Sequence, residues 1–174
     1  MKTKFHFCPN CRSDQIEIIA NHQFICRSCG MEYFHNVASA TAVILRHQDQ
    51  ILFTVRNREP HKGMLDLPGG FIDPNETAEE GASRELKEEL NLEVDLERLH
   101  YLMSQPNTYL YKGIEYKTCD FAFEVKQLNS LQFDLELDEI ASVKWVKIDD
   151  INLDEIAFDS LRNIVKKYIE NQLK

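Results

Sequence analysis

The chain has 174 residues, 43% of them hydrophobic, which suits one medium domain or one domain with a small appendage and excludes wholesale disorder. Its formal net charge of −9 argues against a large nucleic-acid surface. There is no apolar run of about 18 residues and no signal-peptide pattern, so a cytoplasmic protein without a membrane partner is the expectation. The composition breaks near residue 36, dividing the chain into a cysteine-containing lobe, 1–36, and a larger domain, 37–174.

The front lobe carries Cys8 and Cys11 in "CPNC" and Cys26 and Cys29 in "CRSC", with fourteen residues between the pairs. Two such knuckles joined by a hairpin supply the four soft ligands that tetrahedral zinc wants, and four thiolates leave no open position for water. The expectation is therefore structural Zn²⁺ in a small zinc ribbon, with Asn21 and His22 near the hairpin tip and Gly30 in the turn after the second knuckle. A lobe this short needs such a staple. Four cations and three anions make a poor phosphate-gripping face.

Beyond the break, two strands are read at about Ala38–Arg46 and Ile51–Val55, and a short extended segment at "GMLDLPGG". Thr77–Leu90 reads as a helix, with Thr77 and Glu80 forming a capping box. Further strands follow near Glu93–Met103, Glu115–Val125 and Val143–Ile148. Apolar residues at helical spacing, among them Phe158, Leu161, Val165 and Tyr168, predict a closing helix over about Asp154–Leu173. Cys119, in the apolar "TCDFAF", reads as a core cysteine. The class is α+β, an α/β/α sandwich with a mixed sheet.

The chemistry concentrates in "GGFIDPNETAEEGASRELKEEL". Glu85, Glu88 and Glu89 share one helix face. Partly buried, each pair at about 5 Å would repel by about 3 kcal/mol at an effective dielectric of 20, and far less in water. So either the face is solvated, or cations neutralise it. Gly70, just ahead, lets backbone approach a ligand and frees a carbonyl. Hard oxygen donors of this kind suit Mg²⁺ or Mn²⁺.

Gly70, Glu76, Arg84, Glu85, Leu86, Glu88, Glu89 and Leu92 match the Nudix box, G-x5-E-x7-R-E-U-x-E-E-x-G-U, with Asn91 alone departing, where the family has Gly. Asn is the next best residue at a left-handed helix cap. On these residues the chain resembles the Nudix hydrolases. The resemblance implies that Glu85, Glu88 and Glu89 bind the catalytic cations with the Gly70 carbonyl, and that Glu76 and Arg84 form a supporting ion pair. It also implies that Glu139, six residues before Trp145, binds metal or acts as base. Arg56, Arg58 and Lys62 precede the box and would either pair with outer phosphates or remain solvated.

The cysteine ribbon ahead of the box, and Ser104-Gln105-Pro106 after it, further resemble the zinc-containing NADH pyrophosphatases, although Asn107-Thr108-Tyr109 replaces their Trp-Pro-Phe. Ser104, Gln105 and Tyr109 are thus candidate substrate contacts. Tyr109, Tyr111 or Tyr116 would stack on a base, or else serve as half-buried strand residues. The resemblance implies hydrolysis of a nucleoside diphosphate linked to another group, such as NAD(H) or ADP-ribose, to two monophosphates. The alternatives are nucleoside triphosphates, NAD-capped RNA, which the acidic charge disfavours, and a non-catalytic nucleotide sensor. The related pyrophosphatases are dimeric, which makes a homodimer an expectation.

Overall fold

The computed structural model describes residues 6–20, 22–111, 113–126, 128 and 131–172, with the side chain of Tyr111 not described. The chain divides into two units, Met1–Val37 and Ala38–Lys174. In the first, β1 (Ile16–Ile19), β2 (Gln23–Cys26) and β3 (Glu32–Phe34) form an antiparallel sheet in that order. Asn21, expected at the hairpin tip, lies outside the described residues, while the Ile19 and Gln23 pairing closes the hairpin. The two knuckles are alike. The Arg12 amide donates to the Cys8 carbonyl at 2.8 Å, and the Gly30 amide to the Cys26 carbonyl at 2.9 Å. Both residues sit at positive φ, 62° and 73°. Glycine takes that conformation without strain at the second knuckle, whereas Arg12 takes it at a cost of about 1–2 kcal/mol. Few large side chains are buried here beyond Phe24, which stacks on Tyr33 at 5.3 Å, so the lobe's core is small.

The second unit is built on β4 (Ala38–His47), β5 (Gln50–Arg56), β6 (Leu65–Asp66), β7 (His100–Tyr111), β8 (Ile114–Lys126) and β9 (Ile140–Lys147). The strand order is β6-β5-β4-β8-β7, with β9 on β5. β4 and β8 run parallel and the other pairs antiparallel, so the sheet is mixed. Helix α1 (Ala78–Leu90) covers one face and α2 (Asp159–Gln172) the other. The continuous apolar run of β4 follows from this burial on both sides. Ala42 and Ile44 face Ile164 and Tyr168 of α2, while Val43 and Leu45 face Leu86 and Leu90 of α1. This is the α/β/α sandwich read from the sequence, preceded by a lobe with the form of a zinc ribbon.

Helix α1 begins at the expected capping box, with the Thr77 hydroxyl accepting from the Glu80 amide and the Glu80 carboxylate accepting from the Thr77 amide. It ends at Asn91 in the left-handed region, φ 52° and ψ 34°, where the Leu92 amide turns back to the Leu86 carbonyl at 3.1 Å. The Asn91 amide donates to the Lys87 carbonyl at 3.0 Å, so this is a left-handed helix cap with Asn in the place glycine usually takes.

Two element boundaries differ from expectation. The strand read at Glu93–Met103 is a loop, then a 3₁₀ turn at Leu96–Arg98, and β7 starts only at His100. Val94 and Leu99 are buried against α1, and the Ser83 hydroxyl donates to the Val94 carbonyl at 2.8 Å, so this stretch is tied to the helix rather than to the sheet. The closing helix starts at Asp159, not Asp154. A 3₁₀ turn at Leu153–Glu155 and a bridge from Ile156 to Leu65 hold the residues before it. Phe158 therefore precedes the helix. Cys119 is half-buried rather than a core residue.

Candidate functional site

A cleft of about 650 Å³ opens in the second unit where β4 and β5 splay apart. Segments from the whole unit converge on it. Arg84, Glu85, Glu88 and Glu89 come from α1, Gly69 and Gly70 from the turn before it, and Glu136, Asp138 and Glu139 from the loop before β9. Nine carboxylates line the cleft against three arginines. A phosphate-bearing ligand could not approach such a surface without cations to offset the repulsion.

The glycines are there for close approach. A Cβ on Gly70 would lie 2.6–2.8 Å from the Glu85 carboxylate, and one on Gly69 would lie 2.3 Å from the Thr41 carbonyl oxygen. The Gly70 carbonyl, expected to face a cation, accepts the Thr41 amide at 2.8 Å, so one of its lone pairs serves the backbone. The Thr41 hydroxyl itself is buried in the cleft wall with no hydrogen-bond partner among the described residues.

Arg84 organises the acidic face. Its guanidinium holds Glu76 at 2.8 and 3.1 Å, Glu85 at 2.8 Å, Glu88 at 3.0 Å and the Phe71 carbonyl at 2.9 Å. The expected Glu76–Arg84 pair is thus one arm of a wider fork. Hydrogen bonds from Arg84 hold the Glu76 carboxyl below the usual carboxylate range. The Glu85 carboxyl is pushed up by burial, and Glu88 and Glu139 add repulsion against the pull of Arg84. Glu89 accepts the Gly69 amide at 3.0 Å. Burial nonetheless pushes its carboxyl well up, with Asp66, Glu85 and Glu139 adding to the effect. Carboxylates that resist ionisation side by side are a donor set that fits a hard divalent cation.

The remaining expected residues divide. Arg58 reaches the cleft and pairs with Glu139, which lines it too. Arg56 is not a free phosphate grip. It is paired with Asp66 at 2.5 Å, with the side chains only 11% and 14% exposed, it donates to the Pro60 carbonyl at 2.8 Å, and its guanidinium lies 4.9 Å from the Phe158 ring. Lys62 is exposed and does not line the cleft. Ser104 and Gln105 lie on β7 but outside the cleft lining, because the strand brings Asn107 and Tyr109 there instead. Tyr116 pairs with Tyr109 across the strands and stays out of the lining.

Several residues went unread in the sequence. Phe71, 6.1 Å from the expected Tyr109, and Phe158, 5.8 Å from it, complete an aromatic wall. Asp66, Thr118 and Asp120 also line the cleft. The signal for Asp120 was present, since an aspartate inside "TCDFAF" must be buried with partners or mark a site.

In the front lobe the four thiols of Cys8, Cys11, Cys26 and Cys29 lie within 4.8 Å of one another. Cys8 and Cys29 are 3.7 Å apart and Cys11 and Cys26 3.5 Å. A tetrahedral zinc with bonds of about 2.3 Å requires sulfurs about 3.8 Å apart, so the donors fit. The Met31 amide and the Asn10 side chain pull the Cys29 thiol down to about 6.

The NUDIX domain family model matches residues 35–168. The chain belongs to the NUDIX domain family. Among curated NUDIX relatives, the NAD-capped RNA hydrolase NudC of Edwardsiella ictaluri is 35% identical over 82 residues, 47% of this chain and 31% of that protein. The protein of that name from Pectobacterium carotovorum subsp. carotovorum is 31% identical over 101 residues, 58% of this chain and 37% of its own length. The chain thus spans about a third of the length of these relatives. A NUDIX hydrolase from Nitrosomonas europaea shares the fold with a TM-score of 0.70 at 24% identity, covering 95% of this chain and 91% of the other. The NUDIX domain of Shewanella oneidensis NrtR, crystallised with ADP ribose, has a TM-score of 0.63 at 21% identity, covering 80% of this chain and 90% of the other. No helix among the described residues is long and apolar enough to cross a membrane.

Proposed function

We propose that this NUDIX chain hydrolyses the pyrophosphate bond of a nucleoside diphosphate linked to another group, NAD(H) or ADP-ribose, to give two monophosphates. The observation that carries the reading is the acidic cleft, in which the box carboxylates face a space fit for a phosphate only when cations share it. Glu85, Glu88 and Glu89 would hold Mg²⁺ or Mn²⁺, with the second lone pair of the Gly70 carbonyl and Glu139 completing the donors. Such an ion, when bound, neutralises phosphate charge and lowers the pKa of water. The residues of the chain do the rest. Arg84, pinned by Glu76, fixes the rotamers of Glu85 and Glu88. The Gly69 amide fixes Glu89. A carboxylate of this set takes the proton of the attacking water. Arg58 is the cation nearest to hand for the outer phosphates, released from Glu139 when substrate arrives. The four cysteines would hold Zn²⁺ as a closed structural site.

The similarity to the NAD-capped RNA hydrolases NudC favours a second reading, the NAD-capped end of RNA. The net charge of −9 weighs against a long RNA contact. One experiment tests both. The protein is incubated with Mg²⁺ or Mn²⁺ and NADH, ADP-ribose, nucleoside triphosphates and NAD-capped RNA, and products are identified by mass spectrometry, with Glu88→Gln as control. Monophosphates from the dinucleotide or ADP-ribose, absent in the variant, are expected. Pyrophosphate released from triphosphates alone contradicts the substrate class, and turnover of capped RNA in preference to the free dinucleotide selects the second reading.

A further inference from the structure

On the α2 side of the sheet the cleft holds a polar cluster that hydrolysis does not require. Asp120 of β8 is only 6% exposed, and no cation pairs with it among the described residues. Its carboxylate accepts the Thr118 hydroxyl at 2.9 Å and the Ser160 hydroxyl at 2.5 Å. A carboxylate offers about four lone-pair directions, so acceptor capacity remains. Asn107 lines the same cleft, and its oxygen accepts the Thr108 backbone N–H at 2.8 Å. That leaves its NH₂, which only donates, for the cleft. Asn107 is two residues from Tyr109 on the same strand face, so a flat ring against the Tyr109 and Phe158 wall has its edge close to both groups.

We propose that Asn107 and Asp120 read the edge of the ligand's ring, as a donor beside an acceptor, and select a ring bearing an amino or carboxamide NH₂ next to a hydrogen-bond acceptor. Adenine offers that edge through its exocyclic amino group and ring nitrogen. Nicotinamide offers it through its carboxamide. Replacing the NH₂ by a carboxylate oxygen, as in nicotinic acid, sets a negative charge against Asp120 and is rejected. The choice of a nucleotide as ligand rests on the proposed hydrolysis, but the recognition is measured without turnover. Thr118 and Ser160 are positioning residues, holding Asp120 rather than meeting the ring.

The test is equilibrium binding by calorimetry, without added divalent cation, of two pairs of nucleotides. AMP is compared with inosine monophosphate, and nicotinamide mononucleotide with its nicotinic acid counterpart. The wild type is expected to favour the NH₂-bearing member of one pair by about tenfold, since a site built for an N–H rejects the analogue lacking it. The pair that shows the preference identifies the ring. Asp120→Asn keeps the shape and removes the charge, and is expected to abolish or invert the ratio. A merely structural Asp120 would weaken all four ligands alike. Should Asp120→Asn fail to fold, Asn107→Ala, on the edge strand, is expected to reduce the same ratio. Equal affinity within both pairs, a ratio unmoved in the variants, or no binding of any of the four at millimolar concentration overturns the proposal. Loss of turnover with the ratio intact counts against the hydrolase reading and spares this one.

Discussion

Arg84 is one side chain on which the acidic cleft depends. Five donors in a rigid fork let it hold Glu76, Glu85 and Glu88 together with the Phe71 carbonyl. A lysine cannot span those positions. Arg84→Lys is therefore expected to lower kcat/KM by about 10–100-fold, the usual effect of removing the support behind metal-binding carboxylates. The titration of its neighbours gives a pH signature. Glu76 is held below the usual range, so its stabilisation is present above its unfolded value of about 4.3 and is lost as pH falls through its folded value. Glu85 and Glu89 are pushed up, so the stability they contribute is present in acid and lost as pH rises through their folded values. Without divalent cation, thermal melts are expected to show stability falling as pH rises from mildly acidic toward neutral. Added Mg²⁺ should remove most of that fall, as should Glu89→Gln. A melting temperature flat across that window in both conditions contradicts the burial of these carboxyls.

At the scale of elements, α1 is set by its ends. Thr77→Ala removes one side of the capping box and is expected to cost about 1 kcal/mol. Asn91→Val forces a β-branched residue into the left-handed region and is expected to cost about 1–2 kcal/mol, whereas Asn91→Gly is near neutral. Denaturant unfolding checks all three. These ends were legible in the sequence because the capping box, the cap residue and the box acids are local, lying within a few turns of one helix. The start of β7 was not. Val94 and Leu99 look like strand residues until α1 is present to cover them. The start of α2 failed for a related reason, since the bridge between Ile156 and Leu65 joins residues far apart in sequence. Phe158, counted among a helix's apolar stripe, belongs instead to the cleft wall.

At the scale of the molecule, the cleft joins what the chain keeps apart. Its acidic side was readable, because Gly70 to Glu89 forms one continuous motif. Its other side depends on β8 lying parallel to β4, which sets Asp120 beside Ala40 and brings Asn107 over Thr118 from β7. No periodicity announces a long-range parallel pairing. Arg56 does line the cleft, but nothing local shows that Asp66 claims its charge. The four cysteines, by contrast, were legible from spacing alone, and their thiols meet within 4.8 Å. The proposed hydrolysis requires that the acids of α1 gather a divalent cation. The most direct measurement is electron paramagnetic resonance of free Mn²⁺ titrated into the protein with ADP-ribose present, for wild type, Glu85→Gln and Glu89→Gln. Bound Mn²⁺ is expected in the wild type, with affinity about tenfold or more weaker in each variant. Equal binding in all three, or none in the wild type, would contradict it.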